Sequence, residues 1–547
     1  MGNGNLPLSR RTLLKITGTG LASIYLGGCT LFQEKTRDIA SFDGPDIFPI
    51  DRTLGDVAPR SFSGDSFERP HAILWDTKKY VQSRGGMPKV TEKASVVVIG
   101  GGLSGLLSAY LLKDLNPLIL EQASRLGGNA RGESWKGMDY ALGAAYFMEP
   151  EEGTKLRKLM REIGVEAIVQ AKTSDDPVAF EGKRFTEFWE GEGDRANAKA
   201  FESYKKYLKD VAENRNGHRY PDLPMTSAWV RELDKYSLLE NLESNLGGKL
   251  HPQIFSAVDR YCWSSFNACA SEVSAAAGLN FIAGDSGTVW VAPGGNSAVT
   301  DALARRLPEE RLRTESVVFN VKTEGDRVIV SYEDANRKLK AVEARAVIMA
   351  CPKFVAKRLI EGLEPERVSA IDKIRYRSYL VANVLLKKAV RPYFYDLFLL
   401  GKEQATQAGV VDAVLADFAH RQAKQSILTL YRALPFDGAR HELYMPGSYE
   451  RYRAEFEASI AKEVLPVLGL SASDVLDLRL TRWGHPIPVA DKGRIADKTI
   501  DHLRAPFRDR VFFVEQDNWL LPALETVANE AFYFTPKVAK IATAGIS

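Results

Sequence analysis

SVVVIGGGLSGLLSAYLL, residues 95–112, followed by LILEQASRLGGNARGESWKGMDYALGAAYF, residues 118–147, decides how the whole chain is read. The first string is a short β-branched strand that breaks into Gly100, Gly102 and Gly105 at G-x-G-x-x-G spacing. It continues into an apolar helix that opens with Leu103 and Ser104. A second strand, LIL, ends on Glu121. Strand, glycine turn, helix, strand and acid in that order are what a dinucleotide-binding βαβ unit needs. The glycines permit a tight turn and bring backbone N–H groups against a pyrophosphate at a helix N-terminus. Glu121, about 20 residues further on, stands where a carboxylate accepts from ribose hydroxyls.

The residues after Glu121 separate FAD from NAD. The chain continues through Gln122, Arg125, Gly127, Gly128 and Arg131 into DYALGAAYF. Here it resembles the flavin amine oxidase superfamily, whose members carry a glutamate, a basic Gly-Gly turn and then a Gly-Ala-x-Tyr/Trp segment beside the flavin. The resemblance implies FAD and places Gly127, Gly128, Gly143, Ala144, Ala145 and Tyr146 on its side. Members usually have arginine directly after Gly-Gly. This chain has Asn129 there and its arginine at Arg131, so which arginine meets the phosphates stays open.

Three distant pieces match the same family in the same order. VAPGGNSAVTDALARRL (291–307) resembles its Pro-x-Gly-Gly segment turning into a helix. RTESVVFNVKTEGDRVIVSYED (313–334) offers Val318 and Val321 in the V-x-x-V strand whose backbone, by the resemblance, touches adenine. DRVFFVEQDNWLLPALETVANEAF (509–532) reads as strand, polar turn and helix start. The resemblance puts an acid or amide of that turn near the ribityl chain and aims the helix N-terminus at the flavin pyrimidine, with Gln516, Asp517, Leu524 and Glu525 as candidates. A helix N-terminus suits the partial negative charge of that ring edge.

The N-terminus carries Ser9-Arg10-Arg11-Thr12-Leu13-Leu14-Lys15 and then ITGTGLASIYLGGC. Paired arginines before a short, Gly-containing apolar run read as a twin-arginine export signal. Leu26-Gly27-Gly28-Cys29 looks like a bacterial lipobox, so the expectation is an exported protein, periplasmic or at the cell surface, acylated at Cys29 and held on a membrane. At 547 residues, 45% hydrophobic and formally +3, the chain can bury a large core, and nothing in its charge points to nucleic acid. Its four cysteines, Cys29, Cys262, Cys269 and Cys351, form no disulfide framework and no Cys-x-x-Cys pair, and no metal site is expected. No cysteine follows Cys351 to attach a flavin covalently near the C-terminus.

The expected fold is α/β: a Rossmann-like FAD-binding domain of the glutathione-reductase type, interleaved with an α+β substrate domain. The expected organisation is a signal at 1–28, a tether and irregular segment at 29–92, and FAD-binding parts at 93–150, 286–375 and 481–547. Substrate parts fill 151–285 and 376–480. A flavin without a metal motif implies hydride removal from a C–H next to nitrogen, or desaturation. The strings YLVANVLL (379–386), RWGHPIPV (482–489) and the turn 515–517 look most similar to the spermidine-dehydrogenase-like branch. In many family oxidases a lysine on the strand that opens the second substrate segment sits near the flavin. The matching position here is Ala382 or Asn383, which favours a dehydrogenase passing electrons to a quinone or cytochrome over oxygen. His485 is the candidate proton acceptor, and Trp483 and Tyr146 are candidate aromatic walls for a small-molecule amine. No acidic cluster stands out as a polyamine-binding groove: Asp412, Asp417 and Glu149 are scattered candidates for one, and Arg432 or Arg482 would suit a substrate carboxylate. Two other readings stand beside the amine one: a phytoene-desaturase-like FAD desaturase or isomerase, and a non-catalytic flavin-binding electron-transfer lipoprotein.

Overall fold

The computed structural model describes residues 61–173, 175–400, 410–420, 423–434 and 439–544. The signal and Cys29 lie outside them.

The glycine-rich stretch folds at the centre of a seven-stranded sheet. Strand Val90–Ile99 has Leu118–Leu120 and then Leu312–Arg313 on one side, and Leu339–Met349 on the other, all parallel. The first half of Leu339–Met349 pairs onward with the antiparallel strands Arg327–Glu333 and Val317–Glu324, and its second half with Val511–Phe513. A strand buried on both faces reads as a continuous apolar run, and period two sorts its residues. Val96 and Val98, with Ile119, Ile348 and Phe512, face helices Leu103–Leu111 and Leu524–Thr543. Val97 and Ile99, with Leu118, Val347 and Phe513, face helix Lys353–Leu359 and the antiparallel strands. Each fully buried valine contributes about 1.5–3 kcal/mol.

An eight-stranded mixed sheet forms the second layer, built on three antiparallel neighbours, Val475–Pro488, Tyr376–Leu386 and Ile427–Ala433. All eleven residues of Tyr376–Leu386 are buried. Leu380, Ala382 and Val384 pack under helix Ser448–Ser459. Tyr379, Val381 and Leu385 pack with Leu142, Trp263 and Trp483, towards the Gly-Ala-Ala-Tyr segment.

Two expected boundaries are corrected. Strand Val475–Pro488 stays in the substrate sheet throughout, so a division at 480/481 cuts a strand whose partners run on to Pro488. The segment expected to be irregular up to residue 92 holds helices Glu68–Leu74 and Thr77–Ser83, the strand Ser63–Gly64 and the start of the central strand at Val90. Ile73 and Val81 bury against Val317 and Phe319, which gives these short helices the tertiary contact that their length alone does not supply.

Candidate active site

The glycine turn is set by two close approaches. Gly100 has φ +109°, and a Cβ on Gly105 would lie 1.9 Å from the Gly100 carbonyl oxygen, so helix Leu103–Leu111 leaves the sheet at a distance no side chain permits. Gly102, which precedes the helix, supplies no side-chain cap. The first-turn N–H groups are therefore open to an anion. Glu121 is buried, and its two carboxylate oxygens accept from Gly101 N at 2.6 Å and Ala123 N at 2.8 Å. Burial pushes its carboxyl up, and those two N–H donors pull it back. Strand Val317–Glu324, with Val318 buried in it, comes directly after Ser316, whose N–H donates to Glu121 O at 2.8 Å. Ala523, before helix Leu524–Thr543, also gives no side-chain cap. An uncapped helix start beside a buried acid, and a second uncapped start facing the same motifs, fit a dinucleotide whose diphosphate takes the first and whose flavin edge takes the second.

The remaining motifs converge on residues 142–148. Trp483 Nε1 donates to Leu142 O at 2.8 Å, Tyr431 Oη to Gly143 O at 2.7 Å, and Asn296 N to Ala144 O at 3.0 Å. Ala144 N donates to Asn129 O at 3.3 Å, and Met148 N to Glu525 Oε1 at 2.7 Å. A Cβ on Gly295 would lie 2.7 Å from Ala144 O, which explains the Gly-Gly pair beneath that segment. The Pro486 carbonyl accepts from both Asn129 Nδ2 and Gln516 Nε2, at 2.6 and 2.7 Å, tying the Gly-Gly turn to the C-terminal turn. Arg131 donates to Gly128 O and Gly64 O and lies over the Trp483 ring, whereas the exposed Arg125 donates to Gly132 O. Gln122 points outward, Leu103 and Ser104 stay partly accessible at the helix start, and Leu524 is buried.

Three of the candidates make these contacts within the protein. Trp483 is 3% exposed and pinned between Leu142 and Arg131. Asp517 caps helix Lys353–Leu359, its Oδ2 accepting from Lys353 N at 2.9 Å and from the Tyr376 hydroxyl. His485 packs on Phe354 with ring centres 4.5 Å apart. Burial, with Arg440 and His71 nearby, pushes its imidazole down to about 3, so at neutral pH it is a weak proton acceptor. Beside these lies a buried ion group in which Lys353, which no motif marked, meets the C-terminal turn: its Nζ donates to Glu515 and, at 2.5 Å, to Asn518 Oδ1.

Beyond Tyr146 the structure gathers buried acidic and aromatic side chains into one cluster. Asp176 Oδ1 accepts from Asp396 N at 3.1 Å, and Asp176 pairs with Lys172 at 2.6 Å. Asp412 stands opposite Phe398, two residues from Asp396, and accepts from Ser264 Oγ at 2.5 Å. Asp285 accepts from Tyr261 Oη at 2.6 Å. Tyr395 meets Tyr146 edge-on at 5.9 Å, and Tyr431, which binds Gly143, pairs with Asp412 across the sheet. One carboxylate oxygen of Asp396, one of Asp412 and the Tyr395 hydroxyl are buried without a partner among the described residues. Burial pushes Asp285 up to about 6, Asp412 up to about 7 and Asp396 well above the usual carboxylate range. Of the scattered acids, Asp412 alone belongs to this chamber: Asp417 accepts from Tyr393 and Ser426, and Glu149 pairs with Arg157. Arg432 alternates away from Tyr431 to pair with Glu455, and Arg482 lies against Phe62, Phe67 and Tyr444. Neither faces the chamber.

The profile of the family described as flavin containing amine oxidoreductase matches residues 103–431. Oxidoreductase PigB of Serratia sp. (strain ATCC 39006) is 24% identical over 527 residues, covering 84% of this chain and 76% of PigB. A probable flavin-containing monoamine oxidase A of Dictyostelium discoideum is 26% identical over 286 residues, covering 48% of this chain and 58% of its own length. The structure of cyclohexylamine oxidase from Brevibacterium oxydans IH-35A superposes with a TM-score of 0.61 at 17% identity, over 82% of this chain and 99% of that one, which shows a shared fold.

Proposed function

Since the chain belongs to the flavin-containing amine oxidoreductase family, and is by that membership an FAD-dependent enzyme of the amine oxidase kind, we propose that its substrate is a cationic amine seated in the chamber beyond Tyr146. The observation that carries this is the pair of buried oxygens on Asp396 and Asp412 that have no partner among the described residues. An isolated carboxylate in such surroundings is expensive, and a substrate ammonium is the partner that relieves it. Tyr146 and Tyr395 offer ring faces and edges to the same charge. The number of carboxylates, Asp176, Asp285, Asp396 and Asp412 against Lys172, favours a diamine or polyamine. Arg432 and Arg482, the two arginines suited to an amino-acid carboxylate, both point elsewhere.

Bound FAD supplies the two-electron acceptor for the C–H next to nitrogen. The chain's own residues hold and deprotonate the amine. Asp412, pushed up to about 7, is matched to taking a proton from an ammonium near neutral pH, with Ser264 fixing its other oxygen. The sheet face that meets the Gly-Ala-Ala-Tyr segment carries Tyr379, Val381, Asn383 and Leu385, with Asn383 bound by Thr429, and Ala382 turns to the opposite side. A face without lysine supports the dehydrogenase reading, with a quinone or cytochrome taking the electrons in preference to oxygen. Residues 9–29 support export by the twin-arginine route and a lipid anchor at Cys29. The desaturase reading is disfavoured by the charge of the chamber, where a long apolar tunnel is needed.

Anaerobic addition of diamines, monoamines and amino acids to the purified holoenzyme tests the proposal. Diamines should bleach the visible flavin band fastest, and bleaching by no amine overturns it. Recovery of the band faster with a quinone than with air supports the dehydrogenase. Retention of Cys29→Ser in the membrane fraction contradicts the anchor.

A further inference from the structure

Residues 62–65 lie before the dinucleotide motif, yet they reach into it. Ser63 and Gly64 add a short parallel strand to the edge of Val475–Pro488, opposite Thr481 and Arg482. The Ser63 and Thr481 hydroxyls are 2.7 Å apart, and Asp65 N donates to Arg482 O at 3.1 Å. The Asp65 carboxylate accepts from Gly484 N and from Tyr444 Oη, the latter at 2.9 Å. Gly64 has φ +96°, and a Cβ there would lie 2.3 Å from Arg482 O, so the strap docks only because this residue is glycine. From that position the Gly64 carbonyl accepts from Arg131 Nη2 at 2.7 Å. Arg131 also donates to Gly128 O at 3.1 Å, lies over the Trp483 ring at 5.0 Å and has Glu121 and Asp65 as charged neighbours.

We infer that the 62–65 strap positions Arg131 on the cofactor side of the Gly-Gly turn, so that docking of this N-terminal segment and retention of FAD are coupled. The strap holds a guanidinium that otherwise has several rotamers to choose from. By linkage, whatever the strap adds to FAD affinity, FAD adds to strap docking. The inference rests on reading Gly127–Arg131 as the edge of the flavin site.

The test is the FAD dissociation constant of the full-length protein, measured by recovery of free-flavin fluorescence on dilution, for Gly64→Val, Arg131→Ala and the double variant. Each single variant should bind FAD at least about tenfold more weakly, the loss of one charge-assisted hydrogen bond. The double variant should be no weaker than the weaker single, because both changes remove one interaction. Unchanged affinity in Arg131→Ala removes that arginine from the cofactor site. A normal Arg131→Ala loss with unchanged Gly64→Val affinity, or losses that multiply, overturns the strap alone. Hydrogen exchange on the unmodified protein gives a second measure that needs no variant: the Asp65 amide should exchange more slowly with FAD bound than without it, and equal rates overturn the coupling.

Discussion

The cofactor frame and the substrate chamber are built from opposite kinds of sequence. The frame uses backbone: N–H groups, carbonyls and missing Cβ atoms at Gly100, Gly105, Gly127 and Gly295, each within a short glycine-rich stretch. The chamber uses side chains from four separate places: Asp176, Asp396 and Asp412 are brought together by strand pairing between Val178–Phe180, Phe398–Leu400 and Asp412–Leu415, and Asp285 joins them through Tyr261, which stacks on Phe398. Backbone demands leave a spacing that is visible in the chain itself. A cluster made by sheet order leaves none, and its acids look like any other acids until the strands are laid side by side.

Breaking the frame should have the largest effect. Gly105→Val puts side-chain atoms where a Cβ alone already sits 1.9 Å from the Gly100 carbonyl. The central strand and helix would have to separate, at or beyond the upper end of the about 1–3 kcal/mol seen for overpacking. The variant should purify without flavin and melt well below the parent, and a flavin-saturated preparation with the parent's melting temperature would refute the close approach.

The same contrast sets what is legible in the sequence. The parallel strand before Gly100, the helix after it, Glu121, the Gly294–Gly295 brace and the C-terminal turn are all readable, because each meets a backbone requirement. Asp517 is readable as a cap as much as a ligand, and the structure gives it the helix Lys353–Leu359. Trp483 is readable as to region but not as to duty, since nothing in a single chain reveals that Leu142 and Arg131 occupy both its N–H and its face. Asp285 and Asp396 carry no signal in the chain, and Asp412 has no mark to raise it above Asp417. The lysine-free strand face becomes legible only once alternation has fixed which residues of Tyr376–Leu386 look inward.

A change confined to the chamber should separate the two regions. Asp412→Asn should keep its flavin and its fold but lose about 100-fold in kcat/KM towards amines, a loss of the size expected for removal of a general base. Its effect on stability runs the other way. Asp285 and Asp412 hold their protons more firmly in the native protein than in the unfolded chain. Their contribution to stability is therefore complete below the ordinary carboxylate pKa and is lost as pH rises through about 6 to 7. Without substrate, the parent should lose more melting temperature between pH 5 and 8 than Asp412→Asn does. Amine binding needs the ionised carboxylates, so KM should fall over the same interval until the amine itself loses its charge. Parallel melting curves for parent and variant would show that Asp412 does not titrate there.

The smallest effect is expected at the residue that looks most reactive in the sequence. His485 lies between the two regions, at Pro486, whose carbonyl ties the Gly-Gly turn to Gln516. A histidine held down to about 3 is neutral throughout the working range, and its ring spends its face on Phe354. If its duty is packing, His485→Asn loses a ring contact and little else, and kcat/KM should change by no more than about threefold, the scale of a mild local perturbation. The discriminating readout is the shape of the pH profile. The limb near neutrality should persist in His485→Asn and vanish in Asp412→Asn. Were the limb to vanish in His485→Asn instead, the base would belong to the frame, and the division between a backbone-built cofactor site and a side-chain-built substrate site would fail at the residue that joins them.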